Sequence, residues 1–233
     1  MKIYTRAVVV GAGAIIALGM VTACSSGTQK VTSSAGMTTA STVAPMPTSA
    51  TFMADTPEAD GETMTMAIAI EGDTVVAYTT NGTNDEAYFF GTQKGGQMNL
   101  MSMYGDNLNA SFDGKNVSGE VTMNEADAAP VKFTAPSVVA PAGLYTAAHD
   151  KSRATWVVRP DHTMTGVMDN SAPGDHKVTD AAMARDEAFK DEVRQMRLDR
   201  QLQQAPHMDY GTWSMHMGES AVTAVRISGD MSF

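Results

Sequence analysis

Residues 63–70 read Thr-Met-Thr-Met-Ala-Ile-Ala-Ile, and this stretch decides the fold class. Its large apolar residues occupy every second position: Met64, Met66, Ile68 and Ile70. Successive side chains of a β-strand point to opposite faces, so residues two apart share a face. The stretch therefore predicts a strand with one face against a core.

The same alternation recurs downstream, at 107–112 and 117–123. Between such stretches lie short turns rich in Gly, Asn and Asp, which favour tight connections between neighbouring strands. These turns are Glu71-Gly72-Asp73, Asn81-Gly82-Thr83-Asn84, Gly95-Gly96, Gly105-Asp106 and Asp113-Gly114-Lys115-Asn116. Further strands are expected at 131–135, 142–148, 153–159, 163–168, 210–217 and 220–228. The pattern predicts a mainly β domain over residues 61–233, an antiparallel meander forming a small barrel or sandwich.

Residues 178–204 interrupt this rhythm, because they contain no Gly or Pro. Phe189, Val193 and Met196 fall on one helical face, and the Asp186–Lys190 spacing suits an ion pair along a helix. The segment predicts one long amphipathic helix.

The first 24 residues carry a targeting signal. Lys2 and Arg6 precede the fifteen-residue apolar run Ala7–Val21, which is too short for an ordinary transmembrane helix but suits a secretory signal. The run ends in Val21-Thr22-Ala23-Cys24, which resembles the lipobox of bacterial lipoproteins. That resemblance implies a signal peptide over 1–23 and a lipid on the thiol of Cys24. The protein is then expected outside the cytoplasm, anchored to the bacterial cell membrane by its lipid.

Residues 24–60 predict a flexible tether after the acylated cysteine. Ser, Thr, Ala and Gly dominate, and large apolar residues are scarce. Such a stretch buries too little surface to offset the entropy of ordering it.

The overall charge and the single cysteine exclude several classes of function. The formal net charge is −10, which argues against binding the phosphate backbone of nucleic acid. One cysteine excludes a disulfide framework and multi-cysteine metal sites.

Methionine is unusually frequent, with 19 in the chain. Met208 and His207, together with Met215, His216 and Met217, suggest a Cu(I) site, because thioethers are soft ligands. On a strand, however, Met215 and Met217 would share a face while His216 points to the other one. The favoured interpretation is that methionine replaces leucine in an adaptable core, with no cofactor; copper is the alternative.

Arg194, Arg197 and Arg200 are the one basic spot of an acidic protein. They suit the C-terminal half of a helix, where cations are favoured by the macrodipole. The alternative is a contact with an anionic partner.

Motifs of known catalytic sites are missing from the sequence. It has no Gly-x-Ser-x-Gly or His-Glu-x-x-His motif, and its cysteine lies in the lipobox. His162 is expected in a turn after Pro160, and Trp156 and Trp213 are expected to anchor the core. The chain is therefore predicted not to be an enzyme, although an envelope enzyme with an unrecognised site stays open as a third hypothesis.

Several short stretches resemble small secreted or lipid-anchored β-domain proteins of actinobacteria, mycobacteria included. They are Val76-Ala77-Tyr78, Glu86-Ala87 with Gly91-Thr92, Ala140-Pro141-Ala142-Gly143-Leu144-Tyr145 and Trp156-Val157-Val158-Arg159-Pro160-Asp161. The similarity covers roughly residues 70–170, and the helical segment does not fit it. The resemblance implies an envelope location and a β-rich fold, and it assigns no functional residue. We therefore expect a membrane-anchored binding or interaction module, whose partner is an envelope protein or a lipid ligand.

Overall fold

Strand formation begins earlier than the sequence pattern indicates, at Ser49. The computed structural model describes residues 44–57, 61–171 and 187–232, except for the side chains of 187–190. The signal segment, Cys24 and the first part of the tether lie outside these residues. The strands are β1 Ser49–Pro57, β2 Thr63–Glu71, β3 Thr74–Thr80, β4 Glu86–Lys94, β5 Gln97–Met101, β6 Asn107–Phe112, β7 Asn116–Thr122, β8 Val131–Val138, β9 Gly143–His149, β10 Ser152–Val158, β11 Met164–Asp169, β12 Leu202–Gln204, β13 Ser214–Met217, β14 Ser220–Thr223 and β15 Val225–Arg226. Helix α1 spans Glu187–Leu198.

Strands β1–β8 form a closed antiparallel barrel, in which each strand pairs with the next along the chain. The barrel closes where β1 pairs with β8, with Thr51 opposite Val138. The predicted fold class, mainly β with an antiparallel meander, is confirmed in its barrel form. The helix was predicted to be long, and in the described part of the chain it spans 12 residues. The alternating residues of β2 all point into the barrel core, together with Phe52, Phe89 and Leu108. Side chains therefore fill the barrel interior.

The predicted tether extends too far toward the C-terminus. Residues 49–57 form β1, which pairs with β2 along its whole length, from Ser49 opposite Glu71 to Pro57 opposite Thr63. Phe52 is fully buried inside the barrel. Met53 packs against the sheet that covers the outside of the barrel. The small residues around them hide the strand pattern, because they supply little apolar surface of their own.

A second sheet packs against the outside of the barrel. Its strand order is β12-β11-β10-β9-β15. Leu144, Val157 and Ile227 from this sheet and its flank bury against the outward-facing Val76 and Tyr78 of β3. The predicted strands at 142–148, 153–159 and 163–168 correspond to β9, β10 and β11.

The β13–β14 hairpin covers the other face of this second sheet. Met215 and Met217 of β13 are buried in one cluster with Tyr145 and Trp156. The strand predicted at 210–217 begins only at Ser214, because residues 209–213 turn back to meet β13, where the Asp209 N–H donates to the Ser214 carbonyl at 2.8 Å. The strand predicted at 220–228 is divided into β14 and β15.

The helix is shorter than the predicted range 178–204. Residues 178–186, including Asp186, lie outside the described residues, and α1 ends at Leu198. Residues Leu202–Gln204 form β12 instead, which pairs with the free edge of β11. Edge pairing satisfies backbone groups that a continued helix would leave exposed on the sheet. No helix within the described ranges is long and apolar enough to cross a membrane.

Candidate functional site

A cavity of about 840 Å³ opens beside the β10–β11 hairpin. Three segments that are far apart in the chain line it: residues 81–83 between β3 and β4, residues 162–166 at the start of β11, and residues 204–210 after β12. Its volume lies within the ~300–1,000 Å³ typical of small-molecule sites.

A ladder of four rings runs from the core to this cavity. Tyr145 stacks on Trp213 with ring centroids 4.5 Å apart, and Trp213 and Tyr210 make an edge-to-face contact with centroids 5.1 Å apart. Tyr210 in turn stacks on His162 at 3.9 Å. Tyr145 is buried whereas His162 is exposed, so the ladder fixes surface rings from within the core.

Two rings of the ladder stand on unusual backbone. His162 has φ +72° and Trp213 has φ +56°, in the left-handed region where glycine is favoured. The β10–β11 turn requires this of His162, because the His162 N–H donates to the Arg159 carbonyl at 2.9 Å while the Arg159 N–H donates to the Thr163 carbonyl. Residues held in sparsely populated backbone conformations are concentrated at functional sites. A histidine in a backbone conformation that favours glycine therefore indicates that its ring has a functional role.

Trp156 holds the third lining segment in place. Its indole N–H donates to the Pro206 carbonyl at 3.0 Å, and the ring is 2% exposed. Gly166 on β11 permits this arrangement, since a Cβ there would come within 2.3 Å of the Thr155 carbonyl and 2.8 Å of the indole. The expectation that Trp156 anchors the core is confirmed, and the anchor also shapes the cavity wall.

The loop at the cavity rim is rigid for a local reason. The Asn81 side-chain oxygen accepts three backbone N–H groups, from Thr83 at 3.0 Å, Asn84 at 3.1 Å and Asp85 at 3.0 Å. Such an Asx turn replaces the backbone bonds that the loop lacks. None of the fifteen lining residues is Asp, Glu, Lys or Arg.

A second region gathers charge instead of excluding it. Arg200 contacts the carboxylates of Glu86 and Asp169, the latter at 2.7 Å, and the Tyr78 hydroxyl donates to Glu86 at 2.8 Å. Arg153 lies 3.5 Å from Glu86. Although burial opposes the charge, Glu86 and Asp169 raise the pKa of Arg200 further above its usual range. This cluster joins the chain after α1 to both the barrel and the second sheet.

Arg197 makes a similar set of contacts at the end of α1. It contacts the carboxylates of Asp85 and Glu125 and lies 3.3 Å from Asp106, which is fully buried. Burial raises the pKa of Asp85 in spite of the Arg197 guanidinium beside it. These ion pairs hold the helix against the barrel.

The structure pairs the three arginines with carboxylates of the chain itself. Arg197 and Arg200 have buried side chains paired with internal carboxylates. Arg194 donates to Asp191 at 2.9 Å and to Asn124 at 3.0 Å. A chain with excess carboxylates supplies internal partners that an external anion would have to displace.

The five residues suggested as copper ligands do not come together. Met208, Met215 and Met217 are buried in the second-sheet cluster. His216 is exposed on the opposite face of β13, as strand alternation requires, and His207 is exposed 3.7 Å from Asp209. No group of three His, Cys, Asp or Glu residues with metal-binding geometry occurs in the described part of the chain.

No pattern in the sequence predicts the cavity. Its exposed residues His162 and Tyr210 belong to no motif, and the ladder that supports them depends on a Trp213 backbone conformation that no pattern reveals. The available signal was the turn Pro160-Asp161-His162, which has a histidine where such turns favour glycine.

Comparisons with known proteins add no identity: no protein-family model, no curated protein and no solved structure matches this chain. The resemblance over residues 70–170 stays a prediction.

Proposed function

We propose that this protein is a lipid-anchored lipoprotein of the bacterial cell envelope, and that its folded domain is a binding module rather than an enzyme. The observation that carries the proposal is the cavity whose wall includes the stacked rings of Tyr210 and His162, part of a ladder in which His162 and Trp213 have left-handed backbone. Strain kept at a surface ring costs free energy, of order 1–3 kcal/mol for each such residue. A ligand that uses the ring accounts for that cost.

The barrel interior does not offer a competing site of the same kind. Phe52, Phe89, Met98 and Leu108 are fully buried in its interior, and the core cluster is continuous across its strands. An interior filled in this way acts as a platform. Ligand binding is then expected at the loops that the barrel holds in place.

The anchor is tested at Cys24. A Cys24→Ser variant expressed in the native host is expected to lose incorporation of labelled palmitate and to move from the membrane fraction to the soluble envelope fraction. Ser25→Ala is the matched control and stays in the membrane. Unchanged membrane attachment of Cys24→Ser would contradict the lipoprotein assignment.

The binding role is tested by native mass spectrometry of the full chain, extracted from host membranes in a polyoxyethylene detergent. We expect a bound mass in the unaltered protein and its loss in Thr83→Trp, which places a large ring at the exposed rim of the cavity. Thr134→Trp adds the same ring to an exposed position on β8 and should keep the bound mass. A bound mass that survives Thr83→Trp, or none at all, rejects the cavity as a binding site.

Copper handling is the second candidate, supported by one observation. Met164, Met208, His162 and His207 all line the cavity, so thioether and imidazole groups border one space, although the five residues suggested from the sequence do not come together. The test is competition for Cu(I) between the full chain and a chelator of known affinity. Retention of one Cu(I), weakened at least tenfold in Met164→Leu, would support this candidate, and no retention would reject it.

A further inference from the structure

The uncharged cavity also indicates the chemical class of its ligand. We propose that it binds a neutral saccharide, an inference that rests on the proposed function and names the ligand of the same cavity. Three features support it: the described lining has no Asp, Glu, Lys or Arg side chain, the rim carries hydroxyl and amide groups, and an exposed aromatic ring is stacked in the wall.

The lining argues first against an ionic ligand. Among the residues that the structure describes, none of those lining the cavity is Lys, Arg, Asp or Glu. A phosphate, carboxylate or ammonium group gains little from leaving water unless an opposite charge or several strong hydrogen bonds replace its hydration. An acidic or cationic ligand therefore suits this cavity poorly.

The rim argues next against a purely apolar ligand. Thr83, Thr163 and Gln204 are exposed there and present hydroxyl and amide groups from three separate segments. Hydroxyl groups and amides donate and accept hydrogen bonds, as the hydroxyl groups of a sugar do. The Thr83 and Thr163 hydroxyls already donate to Asn84 and Asp161. A lipid chain would still cover their remaining acceptor sites and the Gln204 amide without giving these groups partners.

The aromatic wall supplies the apolar half of sugar recognition. The C–H bonds on one face of a sugar ring carry a small positive charge and pack on the negative face of an aromatic ring. Tyr210 is 39% exposed, and its ring is fixed by stacking on His162 and by the edge contact with Trp213. A ring held in advance loses little conformational entropy on binding. The thioethers of Met164 and Met208 add polarizable surface in the same wall.

The test screens the full chain, in a polyoxyethylene detergent without a sugar headgroup, against immobilised oligosaccharides. The neutral probes are oligomers of glucose, mannose, galactose, arabinose and N-acetylglucosamine, and the charged probes are uronic-acid oligomers. We expect binding to at least one neutral probe and to no charged one. Calorimetric titration of the binding probe then gives the dissociation constant for each variant.

Tyr210→Ala is expected to weaken binding at least tenfold, and His162→Gly at least threefold. Tyr210→Phe keeps the ring and its packing, so it should bind within threefold of the unaltered protein. Phe90→Ala removes a ring of similar exposure on β4, away from the cavity lining, and should leave binding unchanged. Near-ultraviolet circular dichroism of each variant checks that it is folded.

Each contrary outcome has a distinct meaning. If no neutral probe binds but the bound mass sensitive to Thr83→Trp persists, the saccharide assignment is overturned and the binding module stands. The assignment also fails if uronic-acid oligomers bind more tightly, or if Tyr210→Ala binds as well as the unaltered protein. If neither a saccharide nor a bound mass is found, both proposals fall together.

Discussion

The barrel interior and the cavity beside the second sheet solve opposite problems with the same kind of strand. The barrel turns every second residue inward, and its interior closes around Phe52, Phe89 and their apolar neighbours. The cavity is assembled from loop and strand-end residues, and its rings Tyr210 and His162 reach solvent. Side chains fill the barrel interior, so it has no room for a ligand. The side chains around the cavity leave a space open to solvent.

The two regions differ in whether their sheets have free strand edges. A closed barrel has no free strand edge, so its stability depends on filling its centre. The second sheet is open, its edge at β11 carries only the three-residue β12, and the chain leaves β12 to form the cavity wall at 204–210. We therefore expect stability and binding to respond to different substitutions.

The largest effect is expected when the barrel interior is broken. Phe52→Ala removes a fully buried ring and leaves a cavity, which costs about 4 kcal/mol of the free energy of unfolding. Urea titration of the full chain measures this loss. Phe90→Ala, at a ring that is 40% exposed, should cost about 1 kcal/mol or less. Equal losses in the two variants would contradict the assignment of the barrel core.

A slightly smaller effect is expected at the buried charges that join the two regions. Arg200→Met removes the guanidinium between Glu86 and Asp169, which leaves two buried carboxylates with fewer partners. The loss should be about 3 kcal/mol in the free energy of unfolding. Arg194→Met, at a half-exposed pair with Asp191, is the control and should cost under about 1 kcal/mol. A stable Arg200→Met protein would show that the cluster is dispensable.

The two regions also differ in how far sequence reasoning reaches. The alternation of Met64, Met66, Ile68 and Ile70 predicts the barrel strands because local pattern and global burial agree. The sequence pattern does not predict β1, because Ala and Thr surround Phe52. It predicts too long a helix, because helical propensity continues into Leu202–Gln204, which pair with β11 instead. The cavity was not predictable, since its walls are 81–83, 162–166 and 204–210, which meet only through tertiary packing.

A still smaller effect is expected at the methionines of the second sheet. Met215 is 3% exposed among Trp156, Met208 and Met217, so Met215→Leu keeps the apolar volume and should change the free energy of unfolding by under about 1.5 kcal/mol. Met215→Ala should cost about 2–5 kcal/mol and serves as the control for burial. Urea titration measures both. If Met215→Leu instead abolished Cu(I) retention, the interpretation of Met215 as core would be wrong.

The smallest effect is expected at the ion pair that ties the cavity's hairpin to the barrel. Arg159, next to the β10–β11 turn, donates to both oxygens of Asp55 on β1 at 2.7 Å and to Thr65 on β2 at 2.8 Å. This guanidinium lowers the pKa of Asp55 below its ordinary value, against the opposing effect of partial burial. An acid with a lowered pKa in the folded state stabilises the fold above its unfolded pKa, and the contribution is lost as the pH falls through the folded value.

Asp55→Asn is therefore expected to lower the melting temperature slightly at neutral pH, by the equivalent of under about 1 kcal/mol because the carboxylate is 41% exposed. The difference from the unaltered protein should hold at neutral pH and begin to shrink as the pH falls to the ordinary carboxyl pKa of 3.8. It should vanish only below the lowered pKa of folded Asp55, where both proteins lack the charge. Thermal melts across that range measure it. A difference that stays constant, or grows on acidification, would mean that the contact is held by hydrogen bonding alone. The hairpin would then be joined to the barrel without any electrostatic contribution.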